Sequence, residues 1–188
     1  MKPRILIFIA VALLAVSAAV ANEPDGCPPL GQPLIGPLPP YDHIANGNPS
    51  YDSCWTKWAA TFTTDYDSCG NWRNFWEFGY GGSLTQTLTI PSDHHITTLR
   101  FSYLLDFDDP HHDAAWNQFS SRVTDTTAGR ILGGESRNGS SPSLYCSNRR
   151  LTLTSPVDLA GHTIQVRFTG SKGYSDTHIR VRQIALTE

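Results

Sequence analysis

The sequence predicts an all-β protein, an antiparallel two-sheet jelly-roll sandwich of about eight or nine strands. Two observations lead to this prediction. Apolar and polar residues alternate with a period of two in several short segments rich in Thr, Val, Ile and aromatic residues. Clusters of Gly, Asn, Asp and Pro separate these segments, and no long helical periodicity or internal repeat occurs. Helix should therefore be scarce.

The clearest alternation lies in residues 83–90, where Leu84, Leu88 and Ile90 fall on one face and hydroxyl side chains on the other. Further segments with the same period are residues 98–105, 119–123, 151–153 and 164–168. Turn residues between the strands are expected at 91–93, 108–110, 133–134, 137–142 and 170–173.

The last predicted strand covers residues 178–186 and contains a change of phase. Ile179 and Val181 lie in one phase, whereas Ile184 and Leu186 lie in the other. One extra residue in a strand produces such a change, so the pattern predicts a β-bulge near Arg182 and Gln183.

The first 21 residues have the pattern of a cleavable signal peptide. Lys2 and Arg4 precede an apolar run over residues 5–16, and Ala19-x-Ala21 fits the small-residue cleavage rule. The apolar run is shorter than the ~20 residues of a membrane-spanning helix. We therefore predict cleavage before Asn22, no membrane insertion after cleavage, and a secreted protein, either extracellular or periplasmic.

The charge of the predicted mature chain argues against nucleic acid as a partner. Loss of Lys2 and Arg4 leaves twelve basic and seventeen acidic residues, a formal net charge of −5. Nucleic acids and anionic membranes both attract clustered positive charge. About 167 residues remain after cleavage, which suits a single domain with its own hydrophobic core, placed here at residues 46–188.

Residues 22–45 precede this domain as a Pro-rich arm or linker with seven prolines between Pro24 and Pro40. Proline fixes φ and lacks an amide donor, so this stretch should be extended rather than part of a sheet. Cys27 favours an arm that is tied to the domain.

Four cysteines in an exported protein most simply form two disulfides. They are Cys27, Cys54, Cys69 and Cys146, and their spacing does not match a zinc-binding C-x-x-C pattern. Three connectivities are possible. Of these we favour a local Cys54–Cys69 pair together with Cys27–Cys146.

The order of the strand motifs resembles the galactose-binding-like β-sandwiches, which include many carbohydrate-binding modules of bacterial secreted proteins. Residues 82–91 are similar to the family's "sLsQtvtiP" strand, and residues 98–103 to the "tLsFwy" strand that follows it. Residues 157–168 are similar to "vDLsaYaGqtvtlrF", and residues 181–186 occupy the place of the closing "vDdVsL". Together with the aromatic segment 74–82, the resemblance covers roughly residues 46–188.

The resemblance implies a sandwich fold and suggests carbohydrate binding. Many members of the family use an acidic residue of the closing strand to bind a structural calcium ion. Arg182 stands at that position here, so we expect no cofactor and no calcium site of this type. Removing calcium with a chelator should then leave the melting temperature unchanged.

Aromatic residues are concentrated in one segment and supply the first candidate site, because aromatic rings stack on sugar rings. The cluster consists of Trp55, Trp58, Tyr66, Trp72, Phe75, Trp76, Phe78 and Tyr80. The spacing of Trp76, Phe78 and Tyr80 by two indicates one buried strand face. Trp72, in a turn-like context, and Trp116, in a loop, are the predicted exposed ligand-binding rings.

Asp106 and Arg180 are the polar groups expected near these tryptophans. Asp106 begins an acidic and histidine-rich stretch, residues 106–113, which is either a solvated turn or a metal site. Of these we favour the turn, and we predict no metal ligands. Glu77 and Asp106 could pair as the carboxylates of a hydrolase, yet no G-x-S-x-G or H-E-x-x-H motif occurs.

These observations favour a secreted, non-catalytic binding module for an extracellular or cell-surface carbohydrate. One alternative is a structural or protein-interaction domain that binds another secreted protein. A second alternative is a small secreted hydrolase or lyase.

Overall fold

The computed structural model describes residues 42–45, 47, 49 and 54–188, and the described residues contain strands but no helix. The eight strands are β1 (Thr56–Tyr66), β2 (Trp72–Thr89), β3 (Thr98–Asp108), β4 (Gln118–Asp125), β5 (Arg130–Asn138), β6 (Leu144–Thr154), β7 (Thr163–Ser171) and β8 (His178–Thr187). All pair antiparallel. The predicted all-β sandwich is therefore confirmed. The predicted signal peptide and residues 22–41 of the predicted Pro-rich arm lie outside the described residues.

The long strand β2 belongs to both layers of the sandwich. The strands follow the order β5-β4-β7-β2-β8-β3-β6, with β1 paired to β2. Trp76 and Glu77 of β2 pair with β8, whereas residues 82–89 pair with β7. One layer therefore contains β6, β3, β8 and the first half of β2, and the other contains the second half of β2 with β7, β4 and β5.

The core lies between these two layers and is rich in aromatic rings. Phe168 of β7 has its ring centroid 5.8 Å from that of Phe101 and 5.1 Å from that of Tyr103, both on β3. Phe78 of β2 similarly contacts Phe119 of β4 at 6.4 Å. Aromatic pairs at these distances contribute beyond the apolar area that they bury.

A bulge separates the two halves of β2. Phe78 pairs with Ala60 and Ser83 pairs with Trp58, so the four residues 79–82 lie opposite Ala59 alone. A Cβ atom on Gly82 would lie 2.5 Å from the carbonyl oxygen of Ala59. Only glycine permits such an approach, which explains the glycine at position 82.

The predicted bulge in the last strand is also confirmed. The register between β3 and β8 shifts opposite Gln183, which has a φ of 51°. Val181 and Ile184 are consequently both buried although they are three residues apart.

The expectation of a turn at residues 133–134 is wrong, because Gly133 and Gly134 lie within β5. A Cβ atom on Gly133 would lie 2.6 Å from the side chain of Leu153, and one on Gly134 would lie 2.1 Å from the carbonyl oxygen of Ser121. Close packing against neighbouring strands, rather than a turn, requires glycine at both positions.

Residues 42–45 lie against the C-terminal strand. The His43 amide donates to the carbonyl of Leu186 at 2.9 Å, and Asp42 forms a β-bridge with Thr187. The buried side chain of Gln86 accepts a hydrogen bond from the Ala45 amide and donates one to the Ala45 carbonyl, both at 2.9 Å. These bonds satisfy backbone groups that would otherwise be buried without partners.

Both favoured pairings, Cys54–Cys69 and Cys27–Cys146, are wrong, since Cys69 is bonded to Cys146 with 6.3 Å between their Cα atoms. Cys54 and Cys69 lie beyond opposite ends of β1. A strand of 11 residues spans about 35 Å, far beyond the ~7 Å limit for a disulfide. Cys54 is also disulfide-bonded, and Cys27 lies outside the described residues.

Replacing both Cys69 and Cys146 by serine should destabilise the domain strongly. The disulfide joins residues separated by 77 positions, and the chain-entropy model gives about 4–5 kcal/mol for closing a loop of that length. Urea unfolding under non-reducing conditions would measure the loss. Peptide mapping of the wild type should recover Cys69 linked to Cys146, and a Cys54–Cys69 peptide would contradict the structure.

Candidate functional site

Several aromatic side chains with more than a third of their surface exposed lie on the described part of the chain. They are Trp58, Tyr66, Trp72, Tyr80, Trp116, Tyr145 and Tyr174. Single exposed hydrophobic residues need no explanation, but neighbouring ones often mark a binding surface. The question is therefore which of these rings lie together and beside which polar groups.

Trp58 and Tyr80 line one open cleft of about 480 Å³, which we call the Trp58–Tyr80 cleft. These are the two most exposed of the aromatic side chains, at 69% and 73%. The cleft is also lined by Ala59, Thr61, Glu77, Phe78, Gly79, Gly81 and Lys172.

Tyr80 is exposed because it lies in the bulge of β2. The predicted buried face is correct for Trp76 and Phe78, each with no exposed surface, and wrong for Tyr80. Alternation holds only while each residue has a partner across the sheet. Within residues 79–82 that pairing is interrupted, and Gly81 has a φ of 111°. The ring of Tyr80 therefore lies outside.

Trp58 is a candidate that the sequence pattern did not single out from the aromatic cluster. It is the third residue of β1, and β1 pairs with β2 alone. Most side chains of β1 are exposed or half-buried, so its apolar residues do not alternate clearly. Its position opposite a Gly-rich bulge was the signal that could have identified it.

Glu77 is the charged centre of the polar side of the cleft. Lys172 Nζ donates to its Oε1 at 3.1 Å, His178 Nδ1 lies 3.1 Å from the same oxygen, and Arg180 Nε donates to Oε2 at 3.3 Å. Burial acts to raise the pKa of Glu77, but the hydrogen bonds and positive charges outweigh it and lower the pKa to about 2. Glu77 is consequently a fixed carboxylate at neutral pH.

The structure places Arg180 below the surface, with 2% of the residue exposed. Its guanidinium donates to the Tyr66 carbonyl and to Asp65, both at 2.8 Å, and also to Glu77. The group also lies 5.4 Å from the centre of the Phe75 ring. Arg180 thus joins β8 to β1 and β2.

Asp106 lies opposite Arg180 on the neighbouring strand β3 and has no exposed surface. Its carboxylate accepts hydrogen bonds from the amides of Ser68 and Cys146, at 3.2 and 3.3 Å. Asp106 therefore lies below the Cys69–Cys146 disulfide and holds the β1–β2 turn against β6.

Trp72 is half exposed and pairs with Tyr66 at the end of the β1–β2 hairpin. The two ring centroids are 4.5 Å apart, and the two residues lie directly opposite each other on the paired strands β1 and β2. The Tyr66 carbonyl accepts from Arg180, so the ring pair stands above this buried arginine. Among the predicted site residues, Trp72 and Arg180 are thus brought to the same end of the molecule.

Trp116 lies in the loop between β3 and β4, with 63% of its surface exposed. A Cβ atom on Gly173 would lie 2.6 Å from Trp116 Cβ, so the two residues are closely packed. The neighbouring Lys172 amide donates to the Gly79 carbonyl at 3.0 Å. Residues 172–173 therefore connect Trp116 to the Trp58–Tyr80 cleft.

The acidic stretch 106–113 is organised by Asp109, which is 1% exposed. Its Oδ1 accepts from the amides of His111 and His112 and from the Asn117 side chain. The stretch is therefore a hydrogen-bonded turn, as favoured, but the carboxylates of Asp106 and Asp109 are buried rather than solvated. Neither of the two groups of metal-ligating side chains in the described part of the chain lies wholly within this stretch.

No protein-family model and no curated protein matches the chain. Solved structures similar to it include the enzymatically active domain of tailspike protein 4 from bacteriophage CBA120, with a TM-score of 0.51 and 14% identity, covering 78% of this chain. The chain spans only 21% of that tailspike chain. At this identity the likeness shows the fold alone.

Two further similar structures have TM-scores below 0.5. TmCBM61, in complex with β-1,4-galactotriose, has a TM-score of 0.49 and 10% identity, covering 72% of this chain and 90% of its own. The carbohydrate-binding module CBM6cm-2 of Cellvibrio mixtus lichenase 5A, in complex with cellotriose, has a TM-score of 0.41 and 12% identity, covering 71% and 89%.

Across the residues that the structure describes, no helix has the length and apolar character needed to span a membrane.

Replacing Glu77 by Gln should change how stability depends on pH. Because the folded-state pKa of Glu77 is lowered to about 2 from an ordinary 4.5, its ionised form stabilises the fold above pH ~4.5 and loses this effect as the pH falls toward 2. Wild type should therefore be more stable than Glu77→Gln at pH 7, and the difference should shrink toward pH 2.5. Urea unfolding at several pH values would measure it, and a difference that is constant over this range would contradict the assignment.

Proposed function

We propose that this protein is a secreted, non-catalytic module that binds carbohydrate in the Trp58–Tyr80 cleft. The observation that carries the proposal is that two strongly exposed aromatic side chains line one open cleft together with the Glu77–Lys172 ion pair. Sugar rings present apolar C–H faces and polar hydroxyl edges. Aromatic rings beside fixed polar groups match both.

The volume and polar lining of the cleft fit a small part of a glycan. A volume of about 480 Å³ falls within the usual range for ligand sites. Lys172 uses one hydrogen-bond contact with Glu77, and an ammonium group has three N–H donors. The remaining donors are available to hydroxyl oxygens, while neutralisation of Lys172 by Glu77 makes the cleft less attractive to anions.

The state of the carboxylates supports a non-catalytic role. A general acid in glycoside hydrolysis needs a raised pKa, whereas the pKa of Glu77 is lowered to about 2. Arg180 pairs with Glu77 on one side and lies opposite Asp106 on the other. The pair suggested by the sequence is therefore separated by a buried guanidinium, and Asp106 has no exposed surface.

Trp72 and Trp116 are proposed as outer contacts for a longer glycan. Trp116 is connected to the cleft through residues 172–173, and Trp72 through Arg180 and Glu77. Asp106 and Arg180 would then act by holding the strands and the hairpin rather than by touching the sugar. The Cys69–Cys146 disulfide supports secretion, because such bonds persist in oxidising compartments.

Replacing Trp58 or Tyr80 by Ala should abolish or strongly weaken glycan binding. A glycan array would identify the ligand of the wild type, and calorimetry would measure each variant. Loss of one stacking ring should cost ~1–3 kcal/mol of binding free energy, by analogy with other aromatic stacking sites. Exposed side chains contribute little to folding, so the change in stability should stay below ~0.5 kcal/mol.

Ile131→Ala is the matched control, because Ile131 is also exposed but lies on β5 and does not line the cleft. It should bind like the wild type. If the array shows no glycan while a secreted protein binds and Trp58→Ala abolishes that binding, the protein-interaction alternative would replace this proposal.

Replacing Trp72 by Ala tests the outer contact. Its binding loss should fall within the same ~1–3 kcal/mol for a long oligosaccharide and should vanish for a short one that fills only the cleft. Thermal unfolding should change little, since 56% of the residue is exposed. A large loss of stability with unchanged binding would show that Trp72 serves only to pack on Tyr66.

A further inference from the structure

Three chain segments meet at the end of β8 and place two imidazoles beside one carboxylate. His43 comes from the segment that pairs with β8, His94 from the β2–β3 connection, and Glu188 follows β8. One nitrogen or oxygen atom from each of the three lies within 4.8 Å of the others. None of these residues takes part in the Trp58–Tyr80 cleft.

The three side chains converge on one point. His43 Nε2 lies 3.4 Å from Glu188 Oε1, and His94 Nδ1 contacts the same carboxylate oxygen. The imidazole rings of His43 and His94 are 6.4 Å apart at an angle of 67°. The 3.4 Å between His43 Nε2 and Glu188 Oε1 is close to the roughly 3.3 Å between two ligand atoms of a tetrahedral zinc ion with bonds near ~2.0–2.1 Å.

His43 provides a second observation at this cluster. It is 6% exposed, and its Nε2 atom is buried without a hydrogen-bond partner in the described structure. A buried polar atom with no partner is destabilising, so such atoms are rare in folded proteins. The unpartnered nitrogen is directed toward Glu188, where a metal ion would accept its lone pair.

We propose that His43, His94 and Glu188 bind a zinc ion. Two imidazole nitrogens and one carboxylate oxygen are a common ligand set for zinc, whereas calcium prefers oxygen ligands alone. Three protein ligands leave a fourth position for water.

The proposed ion would fasten three parts of the chain together. It would join residues 42–45 to the β2–β3 connection and to the end of β8. The Cys69–Cys146 disulfide joins other parts of the chain, the β1–β2 turn and β6. Metal binding requires neutral imidazole.

The test uses the protein without a histidine tag, stripped of metal by a chelator and dialysed. Zinc chloride titration followed by calorimetry should give one ion per chain. Zinc at about a hundredfold excess over its Kd should raise the melting temperature by roughly 5–10 °C. Calcium chloride should produce neither effect. Removal of zinc by the chelator should lower the melting temperature, so the expectation of an unchanged melting temperature holds for calcium alone. Cobalt(II) should give visible absorption bands that zinc displaces, a signal that does not depend on stability.

His94→Gln and Glu188→Gln should each weaken zinc binding at least tenfold, since even changes outside the ligand shell cost ~10–100-fold. His95→Gln is the matched control. His95 neighbours His94 but is exposed and bonded to Asp158, so this variant should bind zinc like the wild type. Absence of saturable zinc binding by the wild type would overturn the proposal. It would also fail if both His94→Gln and Glu188→Gln bind normally, or if His95→Gln weakens binding as much as they do.

Discussion

The carbonyl oxygen of Ala59 approaches Gly82 so closely that a Cβ atom there would lie 2.5 Å away. This contact allows four residues of β2 to pass one residue of β1, so that β2 can pair with β8 before the bulge and with β7 after it. The two layers of the sandwich therefore share a continuous strand. The same bulge holds Tyr80 outside the core, so the geometry that forms the fold also forms one side of the cleft.

Buried charge organises the layer that carries the cleft. Arg180 is nearly inaccessible, and its guanidinium reaches β1 through Asp65 and Tyr66 and β2 through Glu77. A buried ion without partners would be very costly, so all these groups must be present together. Their mutual dependence fixes the positions of Glu77 and Lys172 relative to Trp58.

Alternation of residues was enough to predict most strands, because one face of each is buried in the core. It also located the bulge at Gln183, where the apolar phase changes within one strand. It failed at Gly133 and Gly134, since glycine required by close packing cannot be distinguished in sequence from glycine in a turn. It also assigned Tyr80 to the core, because Tyr80 continues the two-residue spacing of Trp76 and Phe78. The bulge that interrupts the pairing of β2 with β1 at this point leaves that spacing unchanged.

The candidate sites were harder to predict than the strands for a related reason. Trp72 and Trp116 were found by their turn-like surroundings, whereas Trp58 lies on an edge strand that has no clear pattern. The disulfide partner of Cys69 depends on how the β1–β2 turn folds over β6, a long-range contact that residue spacing does not determine. His43, His94 and Glu188 likewise meet only through the topology.

Rigidity links these features to binding. Ligand affinity rises when the contact groups need no ordering on binding, because the entropy cost has already been met in folding. Trp58 and Tyr80 stand on strands joined by a long antiparallel ladder, and Lys172 is held by both its amide and its ammonium group. The turn of the hairpin that carries Trp72 is joined to β6 by a disulfide. An exposed aromatic surface held in place in this way would bind the proposed glycan with little further loss of its own freedom.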